Sequence, residues 1–368
     1  MKQNKILLSI LFAFLLIVIP SKALVLTNLT QEDFYEVNEE KGISYVEQEG
    51  YYGYLLLKNG EYVLDEDIEI NAYILVKKDS EIFIDLNGKT ISSSNESPLV
   101  FGVDGKLTLT GKGTVGKKVI SKDELSNIVV DSYFGEIIID DITSNGEVIT
   151  NYGKLTINNG TFNGLYLEGL VDVTINGGTF NKGLKSFGLE IAIDEDDENQ
   201  PSEEEKELNS APTIIYMDGG DIPLPIDDDE ADEEQIKNSS LVINDGKFTG
   251  ASEELRIFNM DNVTINGGTF NANVNAVVII AKNIKLSGGL YQITENNVFT
   301  KYYKDDLRTA VGLRGDSIEL SGGKYVSDEN GYSIAIQSES ENVFEEALKK
   351  DLFIQMKYLL KNTYTMKK

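Results

Sequence analysis

Aliphatic and polar residues alternate in short runs along this chain, and each run is followed by a glycine turn and then one aromatic residue. The runs are Leu155-Thr156-Ile157-Asn158-Asn159-Gly160-Thr161-Phe162, Val173-Thr174-Ile175-Asn176-Gly177-Gly178-Thr179-Phe180 and Leu241-Val242-Ile243-Asn244-Asp245-Gly246-Lys247-Phe248. They continue as Val263-Thr264-Ile265-Asn266-Gly267-Gly268-Thr269-Phe270, Ile284-Lys285-Leu286-Ser287-Gly288-Gly289-Leu290-Tyr291 and Ile318-Glu319-Leu320-Ser321-Gly322-Gly323-Lys324-Tyr325. Alternation with period two predicts a strand with one buried face. The third residue of the unit falls at Ile157, Ile175, Ile243, Ile265, Leu286 and Leu320, so the uninterrupted spacings are 18, 22 and 21 residues. Self-similarity at that period marks a solenoid.

A strand of three or four residues cannot bury its apolar face alone. The Asn-Gly and Gly-Gly pairs supply positive φ and turn the chain before the aromatic re-enters the core. Backbone groups left unpaired above and below find partners only in neighbouring coils, about 4.8 Å away, so the strands must be parallel. A leucine-rich repeat has this period but needs a Leu-x-x-Leu-x-Leu consensus and a helical segment, which these units lack. Equivalent positions then stack. Asn158, Asn176, Asn244 and Asn266, continued by Ser287 and Ser321, are expected to form an amide ladder, and Phe162, Phe180, Phe248, Phe270, Tyr291 and Tyr325 a core stack.

Less regular units precede these: Ile82-Phe83-Ile84-Asp85-Leu86-Asn87-Gly88-Lys89-Thr90-Ile91, Leu107-Thr108-Leu109-Thr110-Gly111-Lys112-Gly113-Thr114-Val115 and Ile137-Ile138-Ile139-Asp140-Asp141-Ile142. The phrase Ile84 to Ile91, preceded by Tyr52-Gly53-Tyr54-Leu55 and Asp67-Ile68-Glu69-Ile70, resembles the opening coils of secreted bacterial proteins with a right-handed β-helix of the pectin-lyase-like type. The resemblance covers roughly residues 50 to 340. It implies an all-β, single-stranded right-handed parallel β-helix, and it is specific for fold and poor for function. The expected organisation is a signal peptide at 1–23, an N-terminal segment and cap at 24–61, the β-helix at 62–340 with an acidic insertion at about 190–236, and an amphipathic helical tail at 341–368.

Lys2 and Lys5, the apolar run from Ile6 to Ile19, and the small residues Ser21 and Ala23 predict a cleaved secretory signal and a protein that is secreted or held at the cell surface. Cleavage before Leu24 removes Lys2, Lys5 and Lys22 and takes the formal charge from −28 to −31. With no cysteine, the chain has neither a lipobox nor a disulfide framework, and stability falls to core and backbone ladder. No later apolar segment reaches the roughly 20 residues of a membrane span. The expected state is a monomer.

The 68 residues between Ile175 and Ile243 exceed one coil, and from Glu190 to Glu234 they hold 19 acids against Lys206 alone. Such a segment is expected to be solvated and to leave the stack on one side. Pro212-Thr213-Ile214-Ile215-Tyr216-Met217 is apolar enough to return briefly to the sheet. Asp194, Asp196 and Asp197, with Asp227, Asp228 and Asp229, are candidates for weak calcium binding, although neither an EF-hand nor a calcium β-roll pattern is present. Phosphate backbones are excluded as partners, since binding them requires a basic face.

Chemistry is sparse. There is no histidine, which removes Ser-His and Cys-His mechanisms, and only three arginines occur: Arg256, Arg308 and Arg314. A lyase-like site would place an arginine beside clustered aspartates on one face; Arg256 in Leu255-Arg256-Ile257-Phe258 is expected one coil from Asn244-Asp245-Gly246, and nothing there resembles the lyase motifs. Asp140-Asp141 is the one fragment matching a polygalacturonase-like site, and paired acids more often make a turn. No catalytic residue and no cofactor is assigned. The 18 tyrosines, in the absence of tryptophan, supply flat faces with polar tips. Tyr51, Tyr52 and Tyr54 near the amino-terminal cap, and Tyr302 and Tyr303 between the last two units, are the candidate ligand-binding groups. The function expected from these features is adhesin-like presentation of a long surface to glycan, matrix or host protein ligands. The alternatives are a polysaccharide lyase or hydrolase with an unrecognised carboxylate site, and a structural envelope spacer without ligand. After Ile336 the apolar spacing turns helical, and the tail from Lys349 carries six lysines against Asp351, which predicts a capping helix or a basic anchor.

Overall fold

A computed structural model describes residues 26–35, 37–47, 53–94, 99–117, 128–168, 171–181, 215–218, 239–249, 253–293, 309–327, 332–337 and 358–360. Nearly all of them lie in short parallel strands that pair coil to coil in chain order, a pattern compatible with a right-handed β-solenoid. Each coil contributes to three faces.

Face A begins with Thr27–Leu29 on Gly60–Leu64, then Glu81–Asp85 and Lys106–Thr110, and ends with Ser317–Leu320. Its inward row includes Ile84, Leu109, Ile139, Ile157, Ile175, Ile243, Ile265 and Leu286, all with no exposed surface. Face B carries the residues after the turn, from Ile68–Ile70 and Thr90–Ser93 down to Leu290–Ile293 and Lys324–Val326. Face C runs from Tyr54–Leu57 through Tyr73–Val76 and Phe101–Val103 to Thr309–Arg314 and Tyr332–Gln337. Glu136–Asn151 and Lys154–Glu168 are nearly continuous strands that serve all three faces in succession.

The turn glycines behave as their spacing requires: Gly178, Gly246, Gly268, Gly289 and Gly323 have φ of 113, 144, 107, 98 and 103°. The aromatic that follows each turn enters the core and meets its counterpart one coil away. Centroid separations along Phe162, Phe180, Phe248, Phe270, Tyr291 and Tyr325 are 5.1, 4.5, 4.6, 5.1 and 5.0 Å, near the strand spacing that imposes them. On the solvent side Asn176, Asn244 and Asn266 each donate Nδ2–H to the Oδ1 of the preceding asparagine at 2.8–2.9 Å, and the Ser287 hydroxyl extends the row to Asn266 at 2.7 Å. Both expected stacks therefore exist.

The long insertion does not interrupt the stack. Ile175 pairs directly with Ile243, and Phe180 with Phe248, across 68 residues. Face C instead receives Ile215–Asp218 between Leu165–Glu168 and Leu255–Phe258. The brief return to the sheet expected at Pro212 to Met217 is thus a strand, shifted by about two residues.

The amino-terminal end is closed by three different devices. Thr27–Leu29 lies on face A, and Ile43–Val46 pairs antiparallel with Tyr54–Leu57 on face C, which ends parallel stacking there. On face B the Gln31 side chain acts as a one-residue strand: its Nε2 donates to Glu69 O at 2.8 Å and its Oε1 accepts from Glu69 N–H at 2.6 Å. Gln31 opens the short helix Gln31–Tyr35, held by buried Asp33. Asp33 accepts from the Thr30 amide and hydroxyl and from Asn38, and it pairs with Lys41 at 2.7 Å. At the other end, Tyr358–Leu360 is a parallel strand on Ile334–Ile336. These three residues were expected within an amphipathic helix; backbone pairing with the last coil takes precedence there, and the rest of the tail lies outside the described residues.

Candidate functional site

The outward rows of the three faces differ in chemistry. Face A presents the asparagine ladder and a row of alternating charge, in which Lys106 lies 3.0 Å from Glu81 and 3.9 Å from Glu136. Charges of opposite sign one coil apart satisfy one another and leave little to recruit a ligand. Face B presents Thr114, Thr143, Thr161, Thr179 and Thr269 in register, with Lys247 between the last two. Face C is different. Its outward row is Leu56, Leu75, Gly102, Asp131, Ile149, Tyr166, then Arg256 and Val278, all partly exposed.

Tyr54, a candidate from the sequence, stands on this face beside Tyr73, with ring centroids 5.8 Å apart and tilted by 37°. Gly102 provides the space that the Tyr73 ring occupies, since a Cβ there would meet the ring at 3.1 Å. Tyr51, Tyr52, Tyr302 and Tyr303 lie outside the described residues, as do Asp194, Asp196, Asp197, Asp227, Asp228 and Asp229. Among the described residues no group of three or more acids could hold a metal ion, and no helix is long and apolar enough to cross a membrane.

Where face C turns into face A, a cluster of aromatic rings emerges that sequence reasoning missed. Tyr133 and Phe134 are 52% and 45% exposed, far more than any ring of the core stack, and they meet the partly exposed Tyr152 of the next coil. Phe134 and Tyr152 stack at 5.4 Å and 28°. Tyr133 stands nearly upright to both, at 4.6 Å and 83° from Phe134 and 5.6 Å and 75° from Tyr152. The geometry follows from the glycine beside each ring. A Cβ at Gly135 would meet Val103 O at 2.5 Å, and one at Gly153 would meet Gly135 O at 2.5 Å, so both coils must pass the corner without a side chain at that point. The preceding residue takes the left-handed conformation, with φ of 64° at Phe134 and 53° at Tyr152. For bulky residues this costs of order 1–3 kcal/mol each, and such outliers concentrate at ligand clamps. A readable signal existed: Phe134-Gly135 and Tyr152-Gly153 are the same dipeptide pattern 18 residues apart, one coil.

Carboxylates adjoin the rings. Asp131 shares the outward side of its strand with Tyr133, and Asp104 occupies the position one coil before Tyr133. Burial raises the Asp104 carboxyl; burial and then the charge of Asp104 raise that of Asp131, whose Oδ1 has no hydrogen-bond partner among the described residues. On the neighbouring coil, Glu147 is pushed up by burial to about 7. These groups accept hydrogen bonds from hydroxyls when ionised and donate when protonated.

The catalytic alternatives find no assembled site among these residues. Arg256 is on face C, its guanidinium 4.8 Å over the Phe258 ring, whereas Asn244 and Asp245 follow the face A strand. Asp141 sits in a left-handed turn with φ of 57°, accepting from Asn159 Nδ2 at 3.0 Å, as a turn former does. No family model, curated protein or solved structure matches this chain.

Proposed function

We propose that the chain is a secreted or surface-associated right-handed β-helix of the pectin-lyase-like type that presents its long side to extracellular glycan, matrix or host protein ligands, in the manner of an adhesin. The observation that supports this is the contrast between faces. Faces A and B turn mainly threonine, asparagine and paired charges to solvent, with Phe83, Ile138, Val242 and Leu290 as partly exposed apolar positions among them. Face C turns more apolar and aromatic groups outward, Leu56, Leu75, Ile149, Val278, Tyr54, Tyr73 and Tyr166, interrupted by Gly102, Asp131 and Arg256. Partly exposed apolar rows of this extent mark interaction surfaces. The rigid ladders beneath hold them in place, so binding orders few side chains. Export rests on the amino-terminal signal pattern in the sequence.

A glycan array and a cell-binding assay with the mature protein test the proposal, and absence of signal in both would remove it. The polysaccharide-degrading alternative is favoured by one observation, Glu147 near neutral on the same face, where a general acid or base operates. Release of reducing sugar or unsaturated product from a polysaccharide panel, abolished in Glu147→Gln, would replace the adhesin-like function with that one.

A further inference from the structure

We infer that Tyr133, Phe134 and Tyr152 form a carbohydrate-binding platform for an uncharged pyranose chain, with Asp104 and Asp131 as the acceptors of its hydroxyl hydrogen bonds. This rests on the ligand-presenting function proposed above and assigns it a place and a ligand class.

Four features converge at the corner between faces C and A. First, these rings leave the core while every aromatic of the face B stack stays within it: Tyr133 and Phe134 are about half exposed, and Phe162, Phe180, Phe248 and Phe270 not at all. Second, Phe134 and Tyr152 hold left-handed backbone in which glycine would be relaxed, so local conformational preference does not account for aromatic residues there. Third, the ring planes form two flat surfaces close to a right angle, 83° and 75° between Tyr133 and its neighbours. The C–H face of a pyranose packs on such a surface while its hydroxyls point sideways to polar groups. Fourth, the polar groups within reach along the strand are acceptors: Asp131, partly exposed on the same outward side as Tyr133, and Asp104 one coil away.

Charge selects the ligand class. Of the described cations beside this corner on face A, Lys106 is tied to Glu81 and Glu136, and Lys154, two residues after Tyr152, is in register with Glu136. The chain carries a formal charge of −28. A uronate or sulfated chain would bring its own anions against Asp104 and Asp131, a repulsion that an uncharged chain does not meet.

The test uses the mature full-length chain, isothermal titration and two probe sets: neutral hexasaccharides of glucose, mannose and N-acetylglucosamine, and hexagalacturonate. Phe134→Gly and Tyr152→Gly are the informative variants, because glycine removes the ring and suits the positive φ, so the fold is retained. The expected result is binding of at least one neutral probe, weakened tenfold or more in each glycine variant and in Tyr133→Ala, with thermal midpoints of the glycine variants unchanged or raised. Asp131→Asn should weaken neutral binding less and reduce discrimination against hexagalacturonate. If neutral probes bind with unchanged affinity in all the ring variants, the platform is wrong while the broader function stands. Preference for hexagalacturonate overturns the ligand class. Glycine variants that lose both stability and binding show the rings to be corner packing. A dimer in light scattering that dissociates in the glycine variants makes the cluster a self-contact. Absence of binding to any glycan, on the array as well, removes both this inference and the glycan part of the function it rests on.

Discussion

Replacing Phe248 with alanine probes the point at which the chain rejoins its own stack after the long insertion. The ring has no exposed surface and lies between Phe180 at 4.5 Å and Phe270 at 4.6 Å, within 5° of parallel to each. Truncating a buried phenylalanine costs about 3–5 kcal/mol through lost transfer energy and the cavity left behind. Each aromatic pair adds about 0.5–1.5 kcal/mol beyond area. Phe248 has two ring neighbours, so its loss falls at the top of the range, about 4–5 kcal/mol. Phe162 is equally buried but stacks on Phe180 alone, at 5.1 Å and 18°, with Ser144 in register on its other side. Phe162→Ala should therefore cost about 1 kcal/mol less, one ring pair fewer. Urea denaturation followed by far-ultraviolet circular dichroism and by tyrosine fluorescence measures both. The two probes must coincide, since a solenoid can unfold in parts. A loss below about 2 kcal/mol for Phe248→Ala, well under the Phe→Ala range, would refute the direct Phe180 to Phe248 contact and with it the pairing across the insertion. Equal losses at the two sites would refute the additive ring argument.

Further outcomes are expected elsewhere. Gln31→Ala removes both bonds to Glu69 and opens the face B edge, so it should cost about 1–2 kcal/mol and produce concentration-dependent association in light scattering; a monomer at every concentration would show that edge to be closed by other means. Asn244→Ala breaks two exposed ladder bonds and should lose about 1 kcal/mol in total, and a loss like that of a core residue would contradict the solvent-side placement. Glu147 binds its proton more tightly folded than unfolded, so its contribution is full below the ordinary value of 4.5 and declines as pH rises from there to about 7. Glu147→Gln should flatten the stability profile in that window, and an unchanged slope would exclude burial of the carboxyl. Asp33 has the opposite sign. Burial pushes it up, but Lys41, Thr30 and Asn38 together outweigh this and lower it below 3.8, so its stabilisation is present above that value and is lost as pH falls through the depressed one. Deleting residues 193–235 removes Ile215–Asp218 along with the acidic runs and should destabilise face C, whereas a deletion with unchanged stability would mean that this strand adds nothing to the stack.

The coil itself was legible in sequence because its determinants are local. Alternation in Val263-Thr264-Ile265, the Gly267-Gly268 turn and the returning Phe270 all lie within eight residues, and repetition copies one local solution into rows. That is why the amide ladder and the aromatic stack followed from spacing alone. Face C was not legible. Its strands, such as Leu165-Tyr166-Leu167 and Val277-Val278-Ile279, alternate in burial but carry no turn signature, and only pairing with adjacent coils shows which side faces water. The tail illustrates the same limit: spacing around Tyr358-Leu359-Leu360 fits a helix, and the unpaired edge of the last coil decides for a strand. Gln31 reaches Glu69 across 38 residues, a contact no window of sequence contains. The candidate site belongs to this second kind. Phe134-Gly135 and Tyr152-Gly153 repeat one coil apart in the sequence, but only the stacked coils show that the neighbouring backbone forces both glycines bare and that Tyr133, Phe134 and Tyr152 meet at one corner. Sequence determined the repeating unit because its energetics are short-range. Tertiary structure decided the corner, because a steric exclusion between coils exists only once they are packed.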